Sequence, residues 1–549
     1  MLRSALNVTK QTPLARHGMV AAEHPRGAEV GAAILARGGN AVDAAVATAI
    51  AMTVVEPFMS TLAGSGTMLV HLSKRGETLC LNFNGVAPLA AHETLYKVRG
   101  GVSQGLFSWP QTENAANEYG HLSVAVPGSL AGLSLAAERY GTLEWRDLLA
   151  PAIALARDGF ETDWYLALNH AKAVEELVAF PGTARNYLRD GRFIHRPAGQ
   201  YAGDVSRYPD LARSLELIAK EGPGAFYKGA LGEALVDDMK ANGGLIRLED
   251  LAAYKVLVEP ALMVRYRDTD LAFSPGATGG VTAAEILNIL GEFPSARVGW
   301  KTVEGLHLRA SAIARGFRDR FEHLGDPAMV KVPWERLLSK EHAREAAAAI
   351  RRGKAGAVRR GRVTDDCTTH VSVIDRQRNM VALTHTAVSL WGSRVVVPGT
   401  GILLNNGMIW FDPEPGKANS VAGGKRGLVN MVPVLGFKRG APAFTAGAPG
   451  GRGIISALPQ VVSNLVDLKA TAQAAVEAPR LHTEGAEVQV STRVGDKALD
   501  GLAKKGHKVA PKVESYSTLN FARPVAIRVT AKGLEAGLEQ YSAASAAGH

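Results

Sequence analysis

Apolar positions along this chain fall into two textures that meet near residue 366. Before that point alanine, isoleucine, leucine and valine recur mostly at helical spacing. The run from Gly18 to Pro57, GMVAAEHPRGAEVGAAILARGGNAVDAAVATAIAMTVVEP, predicts two helices broken at Gly38-Gly39-Asn40. Asn40 is a good N-cap for the second, with Asp43 in its first turn. A glycine turn at Gly64 then leads into a strand to Leu72, and Leu79–Phe83 forms a second strand across a hairpin at Lys74-Arg75-Gly76. Val124–Ser129 opens a long helical region that runs to about Gly159. Residues 160–260 stay mostly helical. Strands are predicted from Leu262 to Phe273, then helices over VTAAEILNIL (281–290) and from His307 to Leu324. A basic, alanine-rich stretch, Ser339–Arg362, closes this part.

From Thr368 the period becomes two. HVSVID, MVALTHTAV, VVVPG and GILLNN read as strands, with more near Val432–Phe437, Ala443–Ala446, Val488–Val490 and Val525–Val529. Helices are expected at Gly453–Val466 and at 471–479. Residues 1–15 carry no pattern. Sheets with helices on both outer faces fit this order, an α+β fold in a four-layer α/β/β/α sandwich.

Composition narrows the class. The chain has 549 residues, 46% apolar and 21% charged, ordinary for a globular protein but too long for one simple core. No run of about 18 apolar residues predicts a membrane helix. The N-terminal stretch lacks an apolar h-region, so a cytoplasmic location is expected. Two cysteines, Cys80 and Cys367, exclude a disulfide framework and a cysteine-built zinc site. The net charge of +10 is spread along the chain, with one cluster at Arg351, Arg352, Lys354, Arg359, Arg360 and Arg362. No nucleic-acid-binding motif accompanies it, so neither nucleic acid nor membrane is an expected partner. HExxH and G-x-S-x-G are absent, and Gly64-Ser65-Gly66 lacks the third glycine and the βαβ unit of a dinucleotide loop. No metal and no cofactor are expected.

The junction itself suggests chemistry. A Thr-Thr-His at the head of a strand, two-thirds along the chain, is where a self-cleaved N-terminal nucleophile would lie. A threonine hydroxyl needs a base to take its proton. A freed α-amino group, with an ordinary pKa of about 7.7–8.0, supplies that base on the same residue. Before cleavage the nitrogen is an amide and cannot serve. The bland alternative is that Thr368 is one more strand threonine.

Eight segments in order carry a resemblance: GGNAVDAAVATAIAMTVVEP, VAVPGSLAGL, EGPGAFYKG, ANGGLIRLEDLAAY, LGDP, TTHVSVID, GILLNN and GAPGGRGIIS. Together they resemble the γ-glutamyltranspeptidase family of N-terminal nucleophile hydrolases. The resemblance implies cleavage of the Cys367–Thr368 bond, giving a large subunit (1–367) and a small one (368–549) that stay together as an αβ heterodimer. It implies Thr368 as nucleophile, Thr386 as the threonine that orients it, and Gly450 and Gly451 as oxyanion-hole glycines. A rival register cuts after Asp366 and uses Cys367. His370 and His385 flank the site and are expected to be structural.

The positions that would grip a γ-glutamyl group depart from the family. The arginine for the α-carboxylate becomes Asn84. The asparagine near the nucleophile becomes Val388, and the acidic partner of the α-amino group becomes Trp410. The serine pair becomes Val429-Asn430. A carboxylate buried without a charged partner costs several kcal/mol, so a γ-glutamyl head should bind poorly here. The expected substrate is a small-molecule amide, with water or an amine as acceptor. Its acyl part lacks the amino-acid head of glutamate, as in an oxamate-like half-amide or a glutaryl, cephalosporin-type acyl chain. Arg394 and Arg452 are candidate holders of a different carboxylate. A γ-glutamyltransferase or glutathione hydrolase working through other side chains, and a non-catalytic binding relative, stand as alternatives.

Overall fold

The structure is a computed structural model that describes residues 8–102, 109–353, 367–484, 487–518 and 520–549. Two seven-stranded antiparallel sheets form its centre. One runs in the order Ser545–Gly548, Met19–Ala22, Thr369–Ile374, Met380–Thr386, Ser65–Leu72, Glu77–Phe83, Leu257–Pro260. The other runs Leu14–Ala15, Gly533–Leu538, Val525–Thr530, Ala441–Gly447, Val434–Lys438, Thr269–Phe273, Leu262–Tyr266.

Strand periodicity explains the layering. Met19, Ala21, Leu69, Met380 and Ala382 face Ala272, Leu435, Phe437 and Ile527 of the opposite sheet in one buried core. Their neighbours Val20, Ala22, Met68, Val70, Val381 and Leu383 point the other way, into a core shared with helices. That core centres on Ala41–Val55, in which every residue is buried. Asn40 caps it: its side chain accepts from the N–H of Val42 and Asp43, and Asp43 accepts in return from the Asn40 N–H. On the far side Leu271, Phe273, Val434 and Phe444 pack under the helices Gly279–Gly291, Val303–His323, Lys340–Arg351 and Gly453–Val466. The result is the α/β/β/α sandwich.

Three expectations change. Met19–Ala22 is a strand, and the first helix begins only at Pro25, which fixes its first turn behind the His24 cap. The segments Val395–Pro398 and Gly401–Asn406, buried except at Pro398, are irregular and joined by a lone bridge, Val396 to Leu403. Positive φ at Arg394, Gly399 and Gly401 bends this stretch, and the hydroxyls of Ser393 and Thr400 bond its backbone N–H groups. The C-terminal strands Gly533–Leu538 and Ser545–Gly548 complete the two sheets without a strong period-two signal. Residues 1–7 of the patternless start, and Lys354, Arg359, Arg360 and Arg362 of the basic cluster, lie outside the described residues. Among the described residues no helix is long and apolar enough to cross a membrane.

Candidate active site

Thr368 precedes a strand that lies between two others. Val371–Ile374 pairs with Met19–Ala22 on one side, and Thr369–Ile374 pairs with Met380–His385 on the other. This pairing brings the two predicted threonines together. The Thr368 hydroxyl donates to Thr386 Oγ1 at 3.0 Å. The same oxygen accepts from the Val388 N–H at 2.8 Å. Thr368 and Val388 both have positive φ, 136° and 92°. For β-branched residues this is strained backbone, which here sits on either side of one buried hydroxyl.

Cys367 lies against Thr386. Its Sγ is buried and donates to the carbonyls of Phe58 and Met59. Burial holds the thiol up at about 12, well above neutral pH. His370 bonds Thr384 and Ser372, and burial pushes it down to about 3. His385 bonds the Thr61 carbonyl and is pushed down to about 4, again by burial. Both imidazoles are neutral packing groups. Thr369 donates to Glu56, a fully buried carboxyl held up at about 8 by its desolvation.

The glycine turn lies at the same end of the sheets. A side chain at Gly447 would collide with the His370 ring, so the strand Ala441–Gly447 ends against the strand Thr369–Ile374. The chain then turns through Gly450 and Gly451. Gly450 has φ 136°, and a Cβ there would meet the Ala522 Cα at 2.4 Å. Only glycine fits at this position.

The altered recognition positions converge in part. Val388, Ile409, Trp410, Val429 and Met431 form one apolar cluster against Trp109, whose indole donates to the Ile409 carbonyl. Asn430 accepts from the Arg320 guanidinium. Asn84 is buried, and its amide donates to Asn82 Oδ1 rather than joining that cluster. Arg394 pairs with Glu176, bonds the Gly392 carbonyl and stacks over Tyr119. Arg452 pairs with Glu484 at 2.7 Å and lies between the rings of Trp109 and Phe321.

Trp109, Arg320, Phe321 and Glu484 escaped the sequence reading. Arg320 had one signal, a charged residue on the apolar face of a helical pattern. The others become neighbours only through the fold. A buried Glu285, Asp319 and His342 group could also hold a metal ion. His342 Nε2 already lies 3.0 Å from both carboxylates, and Arg315 bonds Asp319, so this cluster satisfies its own charges.

Comparison with known proteins identifies the family and the fold. The family profile "Gamma-glutamyltranspeptidase" matches residues 27–549. The Acylase ACY 1 proenzyme of Pseudomonas sp. (strain SE83) is 38% identical over 495 residues, 90% of this chain and 87% of the relative. The glutathione hydrolase proenzyme of Escherichia coli (strain K12) is 36% identical over 524 residues, 92% of this chain and 88% of the relative. A crystal structure of cephalosporin acylase from Bacillus halodurans superposes with a TM-score of 0.87 at 27% identity, covering 100% of this chain and 98% of that one. The chain is an enzyme of the gamma-glutamyltranspeptidase family.

Proposed function

We propose that the chain cuts its own Cys367–Thr368 bond and then hydrolyses, or transfers from, a small-molecule amide through an acyl-enzyme on Thr368. The observation that carries this reading is the Thr368 hydroxyl held 3.0 Å from Thr386 Oγ1, an oxygen itself anchored by the Val388 N–H. After the cut, the α-amine of Thr368 takes the hydroxyl proton as Oγ1 attacks the substrate carbonyl. The N–H groups of the Gly450-Gly451 turn receive the oxyanion. The ammonium returns its proton to the leaving amine. Water or an amine, activated by the same base, then releases the acyl group. Because the amine must be unprotonated, turnover should rise as pH climbs through about 7–8.

The acyl part lacks the amino-acid head of glutamate. Val388, Trp410 and Val429 make a neutral apolar wall where that head would need charge. A relative named an acylase at 38% identity supports the same direction. The two fragments remain an αβ heterodimer, because each contributes strands to both sheets.

A denaturing gel tests the cut. Wild-type protein should resolve into fragments ending at residue 367 and starting at residue 368. Thr368→Ala should stay whole and Cys367→Ala should still cut. A single full-length band for the wild type would sink the proposal. For specificity, processed enzyme is offered a γ-glutamyl anilide, oxamate, a glutaryl amide and a plain acyl amide. Preference for the γ-glutamyl compound would overturn the altered-specificity reading.

A further inference from the structure

The helix Ala41–Val55 ends in a turn that grips the chain on both sides of residue 368. Glu56 closes the helix: its N–H bonds the Met52 carbonyl, and its own carbonyl holds the N–H groups of Met59 and Ser60. From this turn the carbonyls of Phe58 and Met59 take the Cys367 thiol at 3.1 and 3.0 Å. The Glu56 carboxyl takes the Thr369 hydroxyl at 3.3 Å. The Met59 carbonyl also takes the N–H of Ala387, the residue after Thr386. One short turn thus fixes the residue before Thr368, the residue after it and the strand end that carries its partner. These acceptors lie past the C-terminal end of the helix, where the backbone dipole favours a positive charge.

Glu56 lies near Glu23, and burial raises both to about 8. The charged groups that face Glu56 are His24 and Arg523, which favour its ionised form, and Glu23 and Asp163, which oppose it. His24 and Asp163 answer each other at 2.6 Å. Arg523 donates to the Tyr165 hydroxyl. Its charge, and that of Arg394, also reach Cys367. In the uncut chain Glu56 therefore keeps its proton at neutral pH. Hydrolysis of the Cys367–Thr368 bond would change that balance. The oxygen of one water goes to the Cys367 carboxylate and its two protons go to the Thr368 nitrogen, which becomes an ammonium.

We propose that Glu56 is a positioning residue of this nucleophile: through Thr369 and its own turn it fixes residue 368, and after the cut its carboxylate faces the new ammonium and sets the pH at which the amine becomes a base. The proposal rests on Thr368 acting as the nucleophile. Thr369 is the next residue along, so the amine lies on the order of 8 Å from the Glu56 carboxylate. At that range inside a protein two opposite charges move each other by about one pH unit. Arg523 and Arg394 alone would press the amine down and leave a weak base. With Glu56 ionised beside it, the amine is held near working pH, and the two groups titrate as a pair.

The test reads the acidic limb of kcat/KM against pH in processed enzyme, on whichever of the γ-glutamyl anilide and the glutaryl amide is turned over faster. Glutamine has the shape of the protonated carboxyl that the uncut chain holds, so Glu56→Gln should fold and cut. Its limb should move down by about one pH unit. One unit below the wild-type midpoint, the share of plateau activity should then rise from about a tenth to about a half. Glu56→Asp restores the charge and should bring the limb back towards its wild-type place. Thr369→Val keeps the carboxyl but removes the hydroxyl that favours its ionised form, so it should move the limb the same way by a smaller step. It decides the matter if Glu56→Gln is not cut. A packing role alone would lower rates without moving the limb. A limb that stays in place, or that the Gln and Asp variants move alike, would overturn the role of Glu56 while leaving Thr368 as nucleophile. A wild-type chain that is never cut would overturn the reading of Thr368 and this proposal with it.

Discussion

Replacing Thr386 by valine keeps its shape and deletes one oxygen. That oxygen accepts from the Thr368 hydroxyl at 3.0 Å and from the Val388 N–H at 2.8 Å. Its site is buried, so no water replaces it. The Val388 N–H is left unsatisfied, which costs about 1–3 kcal/mol. It also loses the bond that holds a valine at φ 92°, a conformation costing about 1–3 kcal/mol by itself. Release of that strain offsets part of the first loss, so the net destabilisation should be about 1–2 kcal/mol. The Thr368 hydroxyl meanwhile loses its fixed direction. At about 1.4 kcal/mol per decade, one lost orienting bond predicts a ten- to hundredfold fall in kcat. Self-cutting should slow by a similar factor, because the same hydroxyl starts it. Stability is best read by urea titration in a Thr368→Ala background, where an uncut chain keeps unfolding reversible. Cutting is read as full-length band against time, and turnover on the favoured amide. Thr386→Ser restores the oxygen and should recover most of both rates. Wild-type cutting and turnover in Thr386→Val would refute the idea that this oxygen orients the nucleophile.

Gly450→Ala should leave little active enzyme, since its Cβ would lie 2.4 Å from the Ala522 Cα and displace the turn proposed to receive the oxyanion; a variant cut and turning over normally would remove that turn from the mechanism. Val388→Asn places a residue more tolerant of positive φ at this strained position and adds polar groups to the wall, so the ratio of γ-glutamyl to glutaryl turnover should rise several-fold in a competition assay. His342→Leu would remove the buried partner of Glu285 and leave Asp319 to Arg315, and should cost about 3–5 kcal/mol in a urea titration. The same triad sets a pH dependence. His342 is held up at about 9 by its bonds to Asp319 and Glu285, so its stabilisation is whole below about 6.5 and fades as pH rises through 9. Glu285, raised to about 8 by burial, keeps its proton where the unfolded chain has lost it, so its share of stability also falls as pH rises. Thermal unfolding should therefore show Tm dropping between pH 7 and 10, and a flat profile would contradict the assignment.

The layering was legible because a strand between two cores alternates two apolar faces, and Met380–Thr386 does so almost residue by residue. The Asn40 cap was legible because its partner Asp43 lies three residues away. Val395–Pro398 and Gly401–Asn406 misled because β-branched and apolar residues mark burial as readily as strand; a strand also needs a partner edge, and the bends at Arg394, Gly399 and Gly401 deny it one. Thr368 was legible from the change of texture at residue 366 and the family resemblance, and Thr386 from the resemblance alone. The surroundings of Arg452 were not. Trp109 meets Ile409 from 300 residues away, and Arg394 finds Glu176 at a separation of 218. Such pairs follow from how the sheets stack, and nothing local in one sequence encodes them.

Both sheets are woven from the two sides of residue 368. In the first, Thr369–Ile374 is inserted between Met19–Ala22 and Met380–Thr386, and Ser545–Gly548 closes the edge on Met19–Ala22. In the second, Thr269–Phe273 pairs with Val434–Lys438, and Leu14–Ala15 with Gly533–Leu538. A cut at the proposed bond leaves these ladders intact. The two pieces then behave as one folding unit with a gap in its covalent chain, and dilution should never separate them. It also follows that pieces are not exchanged between molecules. Two copies damaged on opposite sides of the cut cannot repair each other by trading halves, so each molecule keeps the half it was synthesised with.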